Sequence, residues 1–230
     1  MDPQLLAFQK LAQLFESHGY QLYLVGGTVR DYLLNKPLTD MDAVSDATPL
    51  EIVSFLKGVD QTFMKYGSLK YKNEDGVKFD ITTLRQESSY LDSRHPSQIV
   101  FVKDLRIDYL RRDFTVNALY MNKDLKVIDY CDGQKDLKAG LLRMIGDPDK
   151  RIKEDPLRIL RAIRFHLMFN LRIENNLMES MRDRFYLLEN ITDAKIKSEL
   201  NKIDYGRVKE SDRKEIFAQF DIANLKGVVK

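Results

Sequence analysis

Cysteine is almost absent from this sequence: Cys131 is the only one in 230 residues. A disulfide framework needs pairs and a thiolate metal site needs clusters, so both are excluded. No apolar run reaches the length of a signal peptide or a membrane span, so the chain reads as cytosolic with no membrane partner. Internal repeats and low-complexity tracts are also missing, which rules out a repeat array. An excess of one charge is lacking too, since 37 Lys/Arg oppose 35 Asp/Glu for a net of +2. That total says little about partners, but its distribution says more. Residues 150–230 hold 18 Lys/Arg against 13 Asp/Glu, and residues 1–149 hold 19 against 22. A basic C-terminal third behind an acidic remainder is compatible with a nucleic-acid grip on the later helices, and equally with an ordinary surface imbalance. What is present suffices for a core. Hydrophobic residues make up 43% of the chain, and its length fits one large domain or two small ones.

The most informative stretch is residues 24–42, LVGGTVRDYLLNKPLTDMD. An apolar run over 21–25 predicts a short buried strand that breaks at Gly26-Gly27. A helical pattern starts at Thr28, with Val29, Leu33 and Leu34 on one face. Two glycines between strand and helix let the backbone approach a ligand, and the new helix points free N–H groups at it. Such a place suits an anion, phosphate above all. Asp40 and Asp42 then flank Met41. On a strand they share a face with Cα atoms roughly 7 Å apart. Two convergent carboxylates are hard oxygen ligands for Mg²⁺, which binds one or two carboxylates plus substrate phosphates. A phosphate cradle followed by a carboxylate pair points to metal-assisted phosphoryl or nucleotidyl transfer. Either half alone reads equally as a turn or a solvated acidic loop. No G-x-G-x-x-G is present, so the stretch is not a dinucleotide-binding fingerprint.

The rest of the chain is read in order. Asp2-Pro3 opens a helix with Leu5, Phe8, Leu11, Ala12 and Phe15 on one face, ended by Gly19. Thr48-Pro49 starts a second helix. Residues 66–84 predict a hairpin turning at Asp75-Gly76. Asp80, between Phe79 and Ile81 in its second strand, sits on a solvent face or in a site. Residues 85–104 lack periodicity and read as a long polar loop. In 105–121, Leu110, Phe114, Ala118 and Met121 fit one helical face, with Arg111, Arg112, Asp113 and Asn117 as closely spaced polar residues. A short hairpin over 125–130 leads to 132–137, where Gly133 is assigned a hinge role because glycine permits unusual backbone angles. One long helix is expected from about 154, with Leu157, Ile159, Leu160 and Ile163 buried. Arg158, Arg161 and Arg164 recur every third residue as a basic row, and Asp155 and Arg158 are i,i+3 neighbours. Amphipathic helices follow over about 174–188, 192–204 and 208–220.

Four of these segments, GGTVRDYLL…DMD, FDITTLR at 79–85, RRDFTVNA at 111–118 and EDPLRILRAIRF at 154–165, resemble the motifs of the DNA polymerase β-like nucleotidyltransferases in family order. The wording is similar to the class II branch, the CCA-adding tRNA nucleotidyltransferases and their relatives the bacterial poly(A) polymerases. The resemblance covers roughly residues 20–170. It implies that Asp40 and Asp42 hold two Mg²⁺ ions and that Asp80 is a third catalytic acid. It places Gly26, Gly27, Arg30 and Arg112 on a triphosphate, and Asp113 and Asn117 near the sugar. It makes Asp155 and Arg158, with Arg161 and Arg164 on the same helix, the nucleotide-selecting motif. The segment 85–96, with Arg85, Tyr90, Asp92, Arg94, His95 and Pro96, resembles the flexible loop of members that build the complete CCA end. Residues 132–137 resemble the family's short motif joining head to neck.

The Asp155–Arg158 pair has a physical logic for that role. A carboxylate accepts from the exocyclic amino group of cytosine or adenine, and a guanidinium donates to the adjacent ring acceptor. Guanine and uracil present a carbonyl where the amino group should be, leaving the carboxylate opposite an acceptor, which is costly in a buried site. A plain helix salt bridge is the alternative. The fold implied is α+β: a nucleotidyltransferase head over 1–140 with a small mixed, mainly antiparallel sheet, then an all-helical neck over 141–230. The reaction implied is transfer of CMP or AMP from CTP or ATP to the 3′ end of RNA, tRNA first, with release of pyrophosphate. Two alternatives stay open, a poly(A) polymerase adding AMP alone and a catalytically silent RNA-binding module. Oligomeric state is left open. Class II enzymes usually continue past the neck into helices that grip tRNA, whereas this sequence stops at Lys230. Whether it is a piece of a longer protein or a short form, tRNA selection is expected to suffer more than nucleotide chemistry.

Overall fold

A computed structural model describes residues 2–39, 41–90, 96–220 and 222. It divides into two compact units, residues 1–88 with 98–134, and residues 89–97 with 135–230. Among the described residues no helix is long and apolar enough to cross a membrane.

In the first unit, helix α1 (Pro3–Ser17) starts where the sequence says it should. The Asp2 carboxylate accepts from the Gln4 amide at 2.8 Å, and Pro3 occupies the first turn, where no N–H is needed. Its buried face carries the five predicted apolar residues. Strand β1 (Leu22–Val25) and helix α2 (Gly27–Leu33) flank Gly26. Strand β2 (Met41–Ser45) leads to helix α3 (Pro49–Phe55), which Thr48 and Glu51 close with a reciprocal capping box. Strands β3 (Ser68–Lys72) and β4 (Lys78–Thr83) form the predicted hairpin, turning through Gly76 at φ +85°.

Two expectations fail in the next stretch. Residues 85–104 are not a structureless loop: β5 (Arg85–Tyr90) and β6 (Pro96–Phe101) pair as a two-stranded ribbon. Neither RQESSY nor PSQIVF alternates apolar with polar residues, which is why the pattern missed it. Asp92, Arg94 and His95 lie outside the described residues. Residues 105–121 are not one helix. A single turn, α4 (Leu105–Asp108), runs into 3₁₀ turns at Tyr109–Arg111 and Thr115–Asn117, and then into strand β7 (Leu119–Met121). Phe114, Ala118 and Met121 are fully buried, but Leu110 is exposed. The apparent 3.6-residue period came from successive short elements turning inward. Strand β8 (Val127–Asp129) completes a hairpin with β7.

The sheet runs β3-β4-β2-β1-β7-β8, with β2 and β4 its one parallel pair among the described strands. This is the small, mainly antiparallel sheet expected. One face (Leu22, Leu24, Met41, Ala43, Leu69, Phe79, Ile81) packs with α1 and α3 residues into the main core. The other face holds only a small apolar patch of Val25, Val44, Leu84, Leu105 and Tyr120. That second face is left to function.

Helix α5 (Gly133–Lys138) follows. Gly133 is not a hinge by virtue of unusual backbone angles: the left-handed residue is Asp132, at φ +61°. Gly133 is glycine because a Cβ there would sit 2.2 Å from the Thr115 carbonyl oxygen.

In the second unit, strand β9 (Leu141–Leu142) precedes helices α6 (Pro148–Glu154) and α7 (Leu157–Phe169), and β10 (Arg172–Ile173) pairs with β9 in parallel. Helices α8 (Asn175–Arg184), α9 (Asp193–Leu200) and α10 (Glu210–Gln219) complete it. Among the described residues from 143 to 222 the unit is helical apart from β10. The long helix expected from about 154 starts three residues later, at Leu157, and a separate helix, α6, precedes it. A residue before proline is pushed out of the helical region, and Asp155 stands at φ −147°, ψ 96°. It ends α6, and Pro156 opens α7.

The close approach at Gly133 gives a stability prediction. Gly133→Ala should cost about 1–3 kcal/mol through forced backbone displacement, read as a lower urea midpoint with an unchanged slope.

Candidate active site

The floor of the site is the parallel pair β2/β4. Asp42 and Asp80 are register partners, so both side chains leave the sheet on the same face, on strands about 4.8 Å apart. Beneath them Met41 and Phe79 are fully buried, which fixes which way the carboxylates point. Asp42 is exposed, and its backbone N–H donates to Thr28 Oγ1 at 2.9 Å, tying β2 to the start of α2. Asp80 is half-exposed, with Lys70 Nζ 3.7 Å away. Asp40, expected to share this face, lies outside the described residues.

The glycines set the next side. Gly26 has φ +64° and ψ −124°, a conformation that L side chains rarely adopt, and its N–H donates to the Leu119 carbonyl at 3.1 Å. A Cβ on Gly26 would lie 3.7 Å from Arg112 Nη1, and one on Gly27 would lie 3.7 Å from Asp42 Oδ2. Backbone angle, more than space, demands glycine at 26. Arg30 is buried. Its Nη1 donates to Asn117 Oδ1 at 2.7 Å, and its Nε and Nη2 donate to Asp31 Oδ1. Asn117 Nδ2 in turn donates to Asp113 Oδ1 at 3.3 Å. Arg30, Asp113 and Asn117 thus form one buried polar network joining α2 to the turn before β7.

The opposite wall is arginine. Arg112 Nε and Nη2 donate to Asp108 Oδ2 at 3.1 and 2.9 Å, and Arg111 Nε donates to Asp108 Oδ1 at 2.8 Å. The Tyr120 hydroxyl donates to the same Oδ2 at 2.8 Å, and the Arg112 guanidinium lies over the Tyr120 ring. Arg85 and Arg111 share Glu87 Oε1 at 2.8 and 3.3 Å. Burial by itself would raise the Asp108 carboxyl. The charges of Arg112 and Arg111 and the Tyr120 hydrogen bond outweigh it and hold the carboxyl well below the usual range. Burial pushes the Arg85 guanidinium down, and the neighbouring Arg111 charge adds to that. Sequence reasoning passed over Asp108, Glu87 and Tyr120. The signal available was Asp108 standing three and four residues before Arg111 and Arg112, helical neighbour spacing.

These parts enclose a cleft of about 280 Å³ lined by Gly26, Asp42, Asp80, Arg85, Arg111 and Arg112, among others. Of the residues predicted for chemistry, Asp42, Asp80, Gly26 and Arg112 meet there. Arg30, Asp113 and Asn117 do not line it and act as its buried bracing. Carboxylates on one side and guanidinium groups on the other suit a polyanionic substrate whose reacting phosphate lies between them. The donor set fits a hard divalent cation. Among the described residues no group of three or more His, Cys, Asp or Glu gathers, and Mg²⁺ asks the protein for only one or two carboxylates when phosphates supply the rest.

The remaining predicted residues lie in the second unit. Asp155 and Arg158 are not on one continuous helix face, because α6 ends at Asp155. One Asp155 oxygen accepts from the Leu157 amide at 3.1 Å, holding the start of α7. Arg158 is buried and donates from Nη1 to the Arg151 carbonyl at 3.1 Å and to Glu154 at 3.3 Å. Arg164 Nε donates to the buried Glu199 at 2.7 Å. Arg158, Arg161 and Arg164 do not form an open basic stripe: all three are buried or half-buried.

A carboxylate-floored, arginine-walled cleft on a small antiparallel sheet defines a nucleotidyltransferase head. The poly A polymerase head domain matches residues 22–143, and the chain belongs to that family. It is 38% identical over 197 residues to the CCA-adding enzyme of Staphylococcus haemolyticus, a match covering 86% of this chain and 49% of that protein. The Bacillus stearothermophilus CCA-adding enzyme in complex with CTP superposes with a TM-score of 0.81 at 28% identity, over 88% of this chain and 49% of that one. The Thermotoga maritima CCA-adding enzyme complexed with tRNA gives a TM-score of 0.76 at 29% identity, over 98% and 53%. The chain spans about half the length of the curated relatives it matches.

The Asp108 cluster predicts an acid-labile head. A carboxyl whose folded pKa lies below its unfolded value of about 3.9 stabilises the fold fully above that value and loses the contribution as pH falls through the folded pKa. Denaturation titrations should therefore show stability falling below about pH 4. Asp108→Asn should remove that part of the profile and cost about 3–5 kcal/mol at neutral pH, because two guanidinium groups lose their buried partner.

Proposed function

We propose that this chain adds nucleotides without a template to the 3′ end of tRNA, transferring CMP and AMP from CTP and ATP and releasing pyrophosphate. The observation that carries the reading is the register pairing of Asp42 with Asp80 on the open sheet face, opposite Arg85, Arg111 and Arg112 in one cleft. The relatives support it. One is a CCA-adding enzyme, one was solved with CTP and one with tRNA. In this reading residues 1–140 are the catalytic head and 141–230 the neck. The protein works in the cytoplasm, supported by a lone free cysteine and the lack of a membrane-length apolar helix among the described residues.

Asp40 and Asp42 would hold two Mg²⁺ ions, which would supply Lewis-acid activation and charge neutralisation at the phosphates. Asp80 is the third catalytic acid, a role supported by its register pairing with Asp42. Arg112, fixed by Asp108 and Tyr120, meets the triphosphate, and Gly26 and Gly27 let the phosphates come close to the backbone. Arg30, Asp113 and Asn117 keep the glycine turn in place for triphosphate and sugar. Asp155 and Arg158, backed by Arg161 and Arg164, select cytosine and adenine by hydrogen bonding. The break before Pro156 supports this part, since it takes Asp155 out of a regular helix, where its carboxylate direction would be dictated by helical phase.

Incubating the protein with tRNA lacking its 3′ CCA and single labelled nucleotides tests the reading. Two additions with CTP, then one dependent on both CTP and ATP, are expected. Long A-only extension would replace this reading with the poly(A) alternative that the family's own description suggests. Asp42→Ala and Asp80→Ala should reduce incorporation to background with the fold intact, and near-normal activity in either would remove the acid floor from the mechanism. Asp155→Ala should relax rejection of UTP and GTP by about 1–3 kcal/mol and raise KM for CTP and ATP. Full retention of base preference would make the residue a helix cap only.

A further inference from the structure

The functional face of the sheet continues past the cleft. In the β3–β4 hairpin Lys70 is the register partner of Asp80, and Lys72 is the partner of Lys78. Strand alternation puts these three lysines on the face of Asp80 and Asp42, with Leu69, Phe79 and Ile81 turned into the core. They border a groove of about 430 Å³, and Asp80 lines both that groove and the cleft. Its carboxylates are Asp60 and Asp80. Asp60 is turned onto Thr62, accepting from its amide and its hydroxyl, while Asp80 has Lys70 at 3.7 Å. Lys72 and Lys78 are exposed and form no ion pair among the described residues. Like charges directly opposite on a ladder repel, so the arrangement costs stability unless an anion lies over it.

Lysines on an edge strand often serve only to block strand pairing. That explains Lys72 on β3 but does less for Lys78, which stands on β4, an interior strand of the sheet whose described pairing with β2 begins one residue later at Phe79. The incoming triphosphate is already served by the arginines across the cleft, so a cationic path leaving from Asp80 faces the other reactant. Lys70 and Lys72 stand roughly 7 Å apart, of the order of the spacing between successive phosphates in an extended single strand.

We propose that Lys70, Lys72 and Lys78 form a phosphate track for the single-stranded 3′ segment of the acceptor RNA, just upstream of its reacting end. This rests on the nucleotide-transfer reading above. The test leaves Lys70 in place because it touches Asp80, and compares the wild type with Lys72→Ala/Lys78→Ala and Lys72→Glu/Lys78→Glu. The probe is a fluorescent RNA hairpin with a single-stranded 3′ tail, read by anisotropy across a salt series. Both variants should bind it at least tenfold more weakly, charge reversal more so. The dependence of log Kd on log salt should flatten by about 1.4, because two phosphates of the single strand are no longer neutralised. KM for CTP should stay unchanged, and the alanine variant should melt no lower than the wild type. An unchanged slope, or an equal loss of affinity for a blunt duplex without a tail, overturns the track. If nucleotide incorporation fails in the wild type while the lysine effect on tailed RNA persists, the nucleotidyl-transfer reading falls and the track stands.

Discussion

Asp108 has no exposed surface, yet it must stay charged, because two guanidinium groups and a phenol converge on it. An isolated buried carboxylate would take up a proton. This one is kept ionised by partners that are themselves kept in place by it. The exchange fixes Arg111 and Arg112 through directed N–H donors, of which a guanidinium carries five. The wall of the cleft therefore presents cations whose positions are settled before any ligand arrives. Pre-positioned cations lose less conformational entropy on binding an anion than free surface side chains do.

The floor depends on a topological detail. In a sheet that is otherwise antiparallel, β2 and β4 run side by side in the same direction. Parallel neighbours in register put residues of equal rank next to each other. Met41–Asp42–Ala43 therefore matches Phe79–Asp80–Ile81, core over core and acid beside acid. A slip of one residue would bury a carboxylate and expose Phe79, so the hydrophobic face enforces the alignment of the acids. The core and the chemistry are specified by the same pairing.

Much of this was legible in the sequence, and the exceptions share a cause. The α1 cap, the Gly26-Gly27 break and the β3–β4 hairpin follow from local rules that the structure obeys, whereas the side-by-side register of Asp42 and Asp80 is a long-range pairing that local pattern left open. Residues 105–121 do not follow such rules, because four short elements in succession imitated one helical period. The β5–β6 ribbon escaped because neither strand alternates apolar with polar residues. The helix expected from 154 begins only at Leu157, because Pro156 pushes the preceding Asp155 out of the helical region and so ends α6. Asp108 was invisible as a site residue because its importance lies in burial, which only the tertiary fold reveals. Arg30, Asp113 and Asn117 were recognised as polar residues with a purpose, but their mutual hydrogen bonding depends on α2 meeting the turn before β7.

The break at Asp155-Pro156 has an effect on how the second unit can change over time. In a continuous helix each inserted residue rotates everything beyond it by about 100°, so a length change would swing Arg158, Ile159 and Ile163 off their buried side. With an extended residue between α6 and α7, helical phase is not handed on through a continuous backbone. The two helices are tied through Arg158, which reaches back to the Arg151 carbonyl and to Glu154, so the register of α6 is read by one side chain of α7.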